Sequence, residues 1–345
     1  MTEHEQYMYR CLQLACMATG YTAPNPVVGA VLVHEGRIIG EGYHEYYGKA
    51  HAEVNCIQSV RQEDQGKLFQ STLYVSLEPC AHFGRTPPCA DLIISKKISR
   101  VVIGCRDPNE LVDGRGIEKL LSAGVQVELG ILQKECIEIN KRFFTYIQKR
   151  RPFILLKWAQ TFDGFIGKVN SRQFISNDLS NRLTHKWRSE EAGILIGTNT
   201  ALLDDPALTV RLWTGHQPVR ILIDLNLRLP STLKMFGSPG KIIIFNTKEE
   251  RSDEQVEYIK LDPSISVVPQ LIRVLHRMEI QSIMVEGGAK LLQTFIQEGV
   301  WDEARIVTNK NMILGDGIKA PAIKHARLVR EETMDTDLIH YFLPA

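Results

Sequence analysis

The stretch from Lys49 to Cys89 constrains this chain more than any other. It reads KAHAEVNCIQSV, then a polar gap, then TLYVSLEPCAHFGRTPPC. His51, Cys80 and Cys89 offer one imidazole and two thiolates, a mixed soft set that favours zinc. One ion can take all three only if a helix start at His51, a strand end at Cys80 and a segment opening at Cys89 meet at a point. Three protein ligands would leave a fourth tetrahedral position for water, and zinc-bound water ionises near neutral pH. Glu53 is not needed as a ligand, so its carboxylate is free to take a proton from that water and pass it to a leaving amine.

His-x-Glu followed by Pro-Cys and a second Cys is the pattern of zinc-dependent base deaminases. An isolated HAE also opens ordinary helices, and an isolated Cys is ordinarily a small core residue. The order and placing of all the pieces carry the reading. His and Glu two apart do not share a face of a regular helix, so both must sit at its very start, where the chain can aim them inward. The two cysteines are not Cys-x-x-Cys, because AHFGRTPP lies between them.

The 345 residues suggest two domains. A net charge of +1 leaves no general basic field, which argues against nucleic acid as a partner. Seven scattered Cys, no signal peptide and no long apolar run predict a cytoplasmic protein with no membrane partner. The first part alternates strands and helices, as a layered α/β domain does. HEG at 34–36 reads as a hairpin turn, RVVIGC and VQVELG as strands, and ILQKECIEINKRFFTYIQKR as one long helix. Arg150-Arg151-Pro152 ends that pattern and sets predicted domains of 1–149 and 150–345. The second is again α/β, from FILLKWAQTFDG through SIMVEGGAKLLQTFIQEG to DEARIVTN and LIHYFL.

Glu286-Gly287-Gly288 lies between an apolar strand and a helix. Glycines there would let backbone amides approach a phosphate, or simply make a tight turn. It is not the G-x-G-x-x-G of a Rossmann fold. Asp204-Asp205-Pro206 with Arg211 reads either as a sugar-phosphate contact or as a solvated acidic loop.

These motifs together resemble the bifunctional deaminase–reductase family of riboflavin biosynthesis. PNPVVGAVLV, GEGYH, HAE, EPCAHFGRTPPC, DPNELVDGRG and INKRFF are similar to its deaminase half. KWAQTFDG, GILIGTNTALLDDPALTVR, RILID and VEGG are similar to its reductase half. The resemblance implies a cytidine-deaminase-like three-layer domain followed by a dihydrofolate-reductase-like α/β domain. It implies hydrolysis of the 2-amino group of 2,5-diamino-6-(5-phosphoribosylamino)pyrimidin-4-one. NADPH reduction of the ribosyl to the ribityl chain would follow. His51, Cys80 and Cys89 would hold one zinc, and Glu53 would shuttle protons. Asn25 would read the pyrimidine, and His82 would contact substrate or support the ligands. Ala159, Phe174, Thr200, Asp204, and Gly288, Ala289, Lys290, Leu291, Leu292, Gln293 and Thr294 match NADPH positions. Arg172, Arg188, Leu208, Arg211 and Glu286 match substrate positions, with arginines clamping the 5-phosphate. Partners would be these small pyrimidine ribosylamine phosphates, and a homo-oligomer is expected. Thr161-Phe162-Asp163-Gly164 stands where the family usually has Ser-Leu-Asp-Gly, Phe174-Ile175-Ser176 where Trp-Ile-Thr is common, and Glu110 where Pro is usual.

Overall fold

A computed structural model of the chain describes residues 1–83, 87–110 and 112–345. Gly84, Arg85 and Thr86 of EPCAHFGRTPPC, and Leu111 of DPNELVDGRG, lie outside the described residues. The chain divides into two compact units, Met1–Arg150 and Arg151–Ala345.

The first unit runs α1 (Glu3–Cys16), β1 (Gly29–His34), β2 (Arg37–Tyr43), α2 (Ala52–Gln58), β3 (Thr72–Leu77), α3 (Cys89–Ser95), β4 (Arg100–Cys105), α4 (Arg115–Ser122), β5 (Gln126–Leu129), α5 (Gln133–Ile139) and α6 (Lys141–Lys149). A 3-10 helix, Gln62–Gln70, fills what reads in sequence as a polar gap. The sheet order is β2-β1-β3-β4-β5, antiparallel across β2, β1 and β3 and parallel from β3 to β5. The turn between β1 and β2 places Glu35 and Gly36 at positive φ, as a tight hairpin requires.

Strand alternation builds a core on each face. Leu32, Val75, Val101 and Ile103 pack with Ala52, Cys56, Ala90, Ile93 and Leu120 on one side. Val31, Val33, Tyr74 and Val102 pack with Met8, Cys11 and Leu12 on the other. The result is helix–sheet–helix layering. A capping box starts α1: Thr2 Oγ1 accepts from Glu5 N, and Glu5 accepts in return from Thr2 N.

One expectation fails here. The single long helix predicted over ILQKECIEINKRFFTYIQKR is two helices, α5 and α6, broken at Asn140. Asn140 is buried, and its amide accepts from Val27 N at 2.8 Å and donates to Val27 O at 2.9 Å. A tertiary pair of hydrogen bonds to a distant loop outcompetes helix continuity, with no Gly or Pro to announce it.

The second unit runs β6 (Phe153–Thr161), β7 (Phe165–Gly167), α7 (Asp178–Glu190), β8 (Gly193–Gly197), α8 (Thr198–Asp204), β9 (Val219–Ile223), β10 (Ile242–Asn246), β11 (Arg251–Ser252), β12 (Val256–Lys260), α9 (Val267–Arg277), β13 (Ser282–Gly287), α10 (Ala289–Gln297), β14 (Glu303–Asn309), β15 (Ile318–Lys319), β16 (Ala326–Met334) and β17 (Asp337–Pro344). Its sheet order is β11-β12-β10-β9-β8-β13-β6-β14-β17-β16. The strands from β12 to β14 are parallel, while β17 and β16 close one side antiparallel. β13 returns to lie between β8 and β6, so the connections reverse there. Ligands of open α/β sheets bind at such a reversal, beyond the carboxyl ends of the strands. β7 and β15 form a separate two-stranded ladder.

Candidate active sites

His51 is the N-cap of α2, with extended backbone at φ −74° and ψ 166°. It therefore escapes the helical spacing that would turn it away from Glu53, which lies in the first helical turn. Cys80 follows the end of β3 through Glu78-Pro79, and Cys89 is the first residue of α3. Ala90 N donates to Cys80 O at 3.1 Å and Cys89 N donates to Cys80 Sγ at 3.4 Å. These bonds tie the strand end to the helix start.

His51 Nδ1 is 3.6 Å from Cys80 Sγ and 3.4 Å from Cys89 Sγ, and the three ligand atoms lie within 4.8 Å of one another. A zinc tetrahedron with ordinary Zn–S and Zn–N bonds has an S···N edge of about 3.6 Å. The donor set therefore fits zinc in both chemistry and spacing. His82 is exposed and stands outside this group. The Cys80 thiol is pulled down to about 4, first by hydrogen bonding from Cys89, while Cys89 is pushed up by Cys80 and by burial. Two thiols so close share one charge until a cation takes the remaining proton's place.

Glu53 is 3% exposed. Burial first, and the Cys80 charge second, push its carboxyl up to about 7. A group poised there can both take and return a proton at neutral pH. His51, Cys80 and Glu53 line a cavity of about 260 Å³ with Asn25, His44, His82 and Asp107. Burial pushes the pKa of the His44 ring down.

Glu78 was not singled out by sequence, yet it organises the cavity wall. Its carboxylate accepts from Asp107 N, Gly114 N, Gly116 N and Ile117 N at 3.0–3.4 Å. A side chain at Gly116 would run into the Pro79 carbonyl, so α4 starts hard against the turn that carries Cys80.

In the second unit a cleft of about 1530 Å³ opens at the carboxyl ends of β6, β8, β9 and β13. Gly287 (φ +157°) and Gly288 bring the backbone against Thr200, whose Oγ1 would lie 3.0 Å from a Cβ at Gly288. α10 begins at Ala289, so its first amides face the cleft. The cleft collects Ala159, Phe174, Thr200, Asp204, Gly288, Ala289, Lys290, Leu291, Leu292 and Thr294 of the expected cofactor residues. It also collects Arg172, Arg188, Leu208, Arg211 and Glu286 of the expected substrate residues. Gln293 is not among its lining residues: its Oε1 accepts from Ala322 N at 2.9 Å.

Arg188 is already engaged. Its Nε and Nη2 each meet a Glu286 oxygen at 2.6 Å, with side chains only 12% and 9% exposed. Arg211 donates to Thr209 Oγ1, and the Arg172 guanidinium lies 4.5 Å from the Phe174 ring centre. Lys157, on β6, also lines the cleft, and burial lowers its pKa. It is a functional candidate that the sequence reading missed. A lone Lys inside the apolar run FILLKW was the available signal.

Residues 152–338 match the family model of the RibD C-terminal domain, and residues 1–105 match that of the cytidine and deoxycytidylate deaminase zinc-binding region. The riboflavin biosynthesis protein RibD of Aquifex aeolicus is 41% identical over 98% of this chain and 98% of its own. That of Escherichia coli is 35% identical over 87% of this chain and 86% of its own. Among solved structures, a diaminohydroxyphosphoribosylaminopyrimidine deaminase/5-amino-6-(5-phosphoribosylamino)uracil reductase from Thermotoga maritima matches with a TM-score of 0.92 at 35% identity, covering 99% of each chain. Acinetobacter baumannii RibD matches at 0.89 and 29% identity, again over 99% of each chain.

Proposed function

This chain belongs to the RibD family of bifunctional riboflavin-biosynthesis enzymes, and from that premise we propose how its residues divide the work. It is a zinc-dependent deaminase and an NADP-linked reductase in one polypeptide. The first unit deaminates 2,5-diamino-6-(5-phosphoribosylamino)pyrimidin-4-one. The second reduces the ribosyl chain of the product, giving 5-amino-6-(5-phosphoribitylamino)uracil.

The observation that carries the first step is the meeting of His51, Cys80 and Cys89 beside the buried carboxyl of Glu53. Zinc, when bound, supplies a Lewis acid that makes water nucleophilic at neutral pH. His51, Cys80 and Cys89 hold it. Glu53 takes the proton from the attacking water and delivers it to the departing amino group, so that the amino group leaves as ammonia and the water oxygen stays on the ring as its carbonyl. Asn25 and His82, on the cavity wall, meet the substrate.

In the second unit NADPH, when bound, supplies a hydride. Thr200, Asp204 and the start of α10 hold it, with Ala159 and Phe174 along its length. The Glu286–Arg188 fork orients the pentose and holds the β13 end rigid. Arg172 and Arg211, whose guanidinium groups no carboxylate forks among the described residues, take the 5-phosphate. Addition of a hydride to the sugar carbon needs a proton as well, and Lys157, which lines the cleft with its pKa lowered by burial, gives it. Among the described residues no helix is long and apolar enough to cross a membrane. Seven cysteines with no disulfide among the described residues support a cytoplasmic setting, and exposed Leu328 and Val329 on the edge strand β16 support a homo-oligomer.

The test is selective removal of the metal. A chelator is expected to abolish ammonia release and zinc to restore it, while NADPH oxidation by the deaminated intermediate continues throughout. Ammonia release that survives complete loss of zinc would overturn the reading.

A further inference from the structure

The cavity beside the zinc ligands contains a short relay with a defined direction. His44 is 3% exposed, and its backbone N donates to Val28 O at 2.9 Å. Its Nδ1 lies 2.9 Å from the Ala50 carbonyl oxygen. A carbonyl can only accept, so Nδ1 carries the ring proton. In the Nδ1–H tautomer that this contact selects, Nε2 is a lone pair. It lies 3.1 Å from the Asn25 side chain, and only the Asn25 amide nitrogen can face it. The Asn25 carbonyl must therefore point the other way. Among the described residues Oδ1 has no hydrogen-bond partner, and both Asn25 and His44 line the cavity. Asn25 stands between Pro24 and Pro26, and its backbone N is held by Thr22 O at 2.8 Å. These contacts hold the Asn25 backbone, and the hydrogen bond to His44 Nε2 sets which end of its amide faces away.

We infer that His44 sets the orientation of the Asn25 carboxamide, so that the deaminase cavity recognises a pyrimidine edge that presents an N–H donor. A 2-aminopyrimidin-4-one carries N–H both on its amino group and on the ring nitrogen between the attacked carbon and the carbonyl. Cytosine presents a bare ring nitrogen beside its attacked carbon. An acceptor in this place selects the first class of ring over the second. His44 touches no reacting atom in this scheme: it is a positioning residue that acts through Asn25. The inference rests on the deaminase reading given above.

The experiment uses the full-length zinc-loaded chain and measures kcat and KM for ammonia release from the diaminopyrimidine substrate. His44→Phe, Asn25→Ala and the double variant are compared. Zinc content and NADPH oxidation by the deaminated intermediate report folding of each. Loss of one oriented neutral hydrogen bond should raise KM roughly three- to tenfold in His44→Phe, with kcat held to within about twofold. In the Asn25→Ala background His44→Phe should add nothing, because the relay has no receiver. His44→Gln keeps an acceptor toward Asn25 and a donor toward Ala50, and is expected to recover the wild-type KM. An unchanged KM in His44→Phe, or effects of the two single variants that simply multiply, would overturn the inference. Should His44→Phe lose zinc, His44→Gln decides: a KM as high as that of Asn25→Ala overturns it. A wild-type chain that releases no ammonia would instead sink the deaminase reading itself.

Discussion

Replacing Glu53 with Gln changes one oxygen to an amide nitrogen in a side chain that is 3% exposed. Shape and volume are kept, and proton transfer is lost. General acid–base catalysis by one positioned group is worth about 10²- to 10⁴-fold, or roughly 3–5 kcal/mol of barrier. In the proposed mechanism Glu53 serves the reaction twice, at the water and at the amine, so ammonia release is expected to fall by about 10³-fold or more. Binding of zinc is a separate matter. The three ligand atoms come from His51, Cys80 and Cys89, so zinc should stay at one per chain. Stability should not fall, because burial already works against the Glu53 carboxylate and raises its pKa to about 7. The assay is ammonia release, with metal content and thermal unfolding read on the same preparation. A near-wild-type rate would remove Glu53 from the proton transfer. Loss of zinc would make it a ligand and refute the three-ligand geometry.

Three further outcomes are expected. Glu286→Gln leaves the Arg188 guanidinium buried without its counter-charge, at a cost of about 3–5 kcal/mol in denaturant unfolding. Glu286→Gln combined with Arg188→Met should recover much of that stability without recovering reductase activity. Gly116→Ala pushes α4 off the Pro79 carbonyl, an overpacking cost of about 1–3 kcal/mol. It should weaken zinc retention and deamination while NADPH oxidation is unaffected. His185 is held down to about 4, by burial first and then by Arg188 and Arg211. The unfolded chain then binds the extra proton between about pH 6.5 and 4. The stability linked to His185 is complete above that window and is lost as pH falls through it. Melting temperature against pH should show this slope, and His185→Gln should flatten it.

The clustering of His51, Cys80 and Cys89 was legible because their chemistry is carried by residue type and order alone. His51, Glu53, Cys80 and Cys89 sit at the ends of elements whose apolar patterns are plain in the sequence. What stayed hidden depends on contacts between distant residues. The break at Asn140 is made by Val27, more than a hundred residues away, and the cavity wall is held by a carboxylate at Glu78 that looks like part of a Pro-Cys turn. β16 was missed because ARLVREETM is mostly exposed at a sheet edge and shows no clean alternation. In the cleft, the resemblance placed nearly every expected residue on the lining, yet Arg188 proved to be forked to Glu286 and Gln293 to be bonded to Ala322 N. Those commitments are set by where β13 and α10 lie, which no local pattern encodes.

The central claim is that one polypeptide performs two ordered reactions, and a single time course tests it most directly. The purified chain is given the diamino substrate and NADPH, and ammonia and NADPH are followed together. Ammonia is expected first, with NADPH oxidation rising after a lag to the same final amount, and neither signal appearing once zinc is stripped. NADPH consumed in step with the diamino compound and without ammonia release would contradict the account.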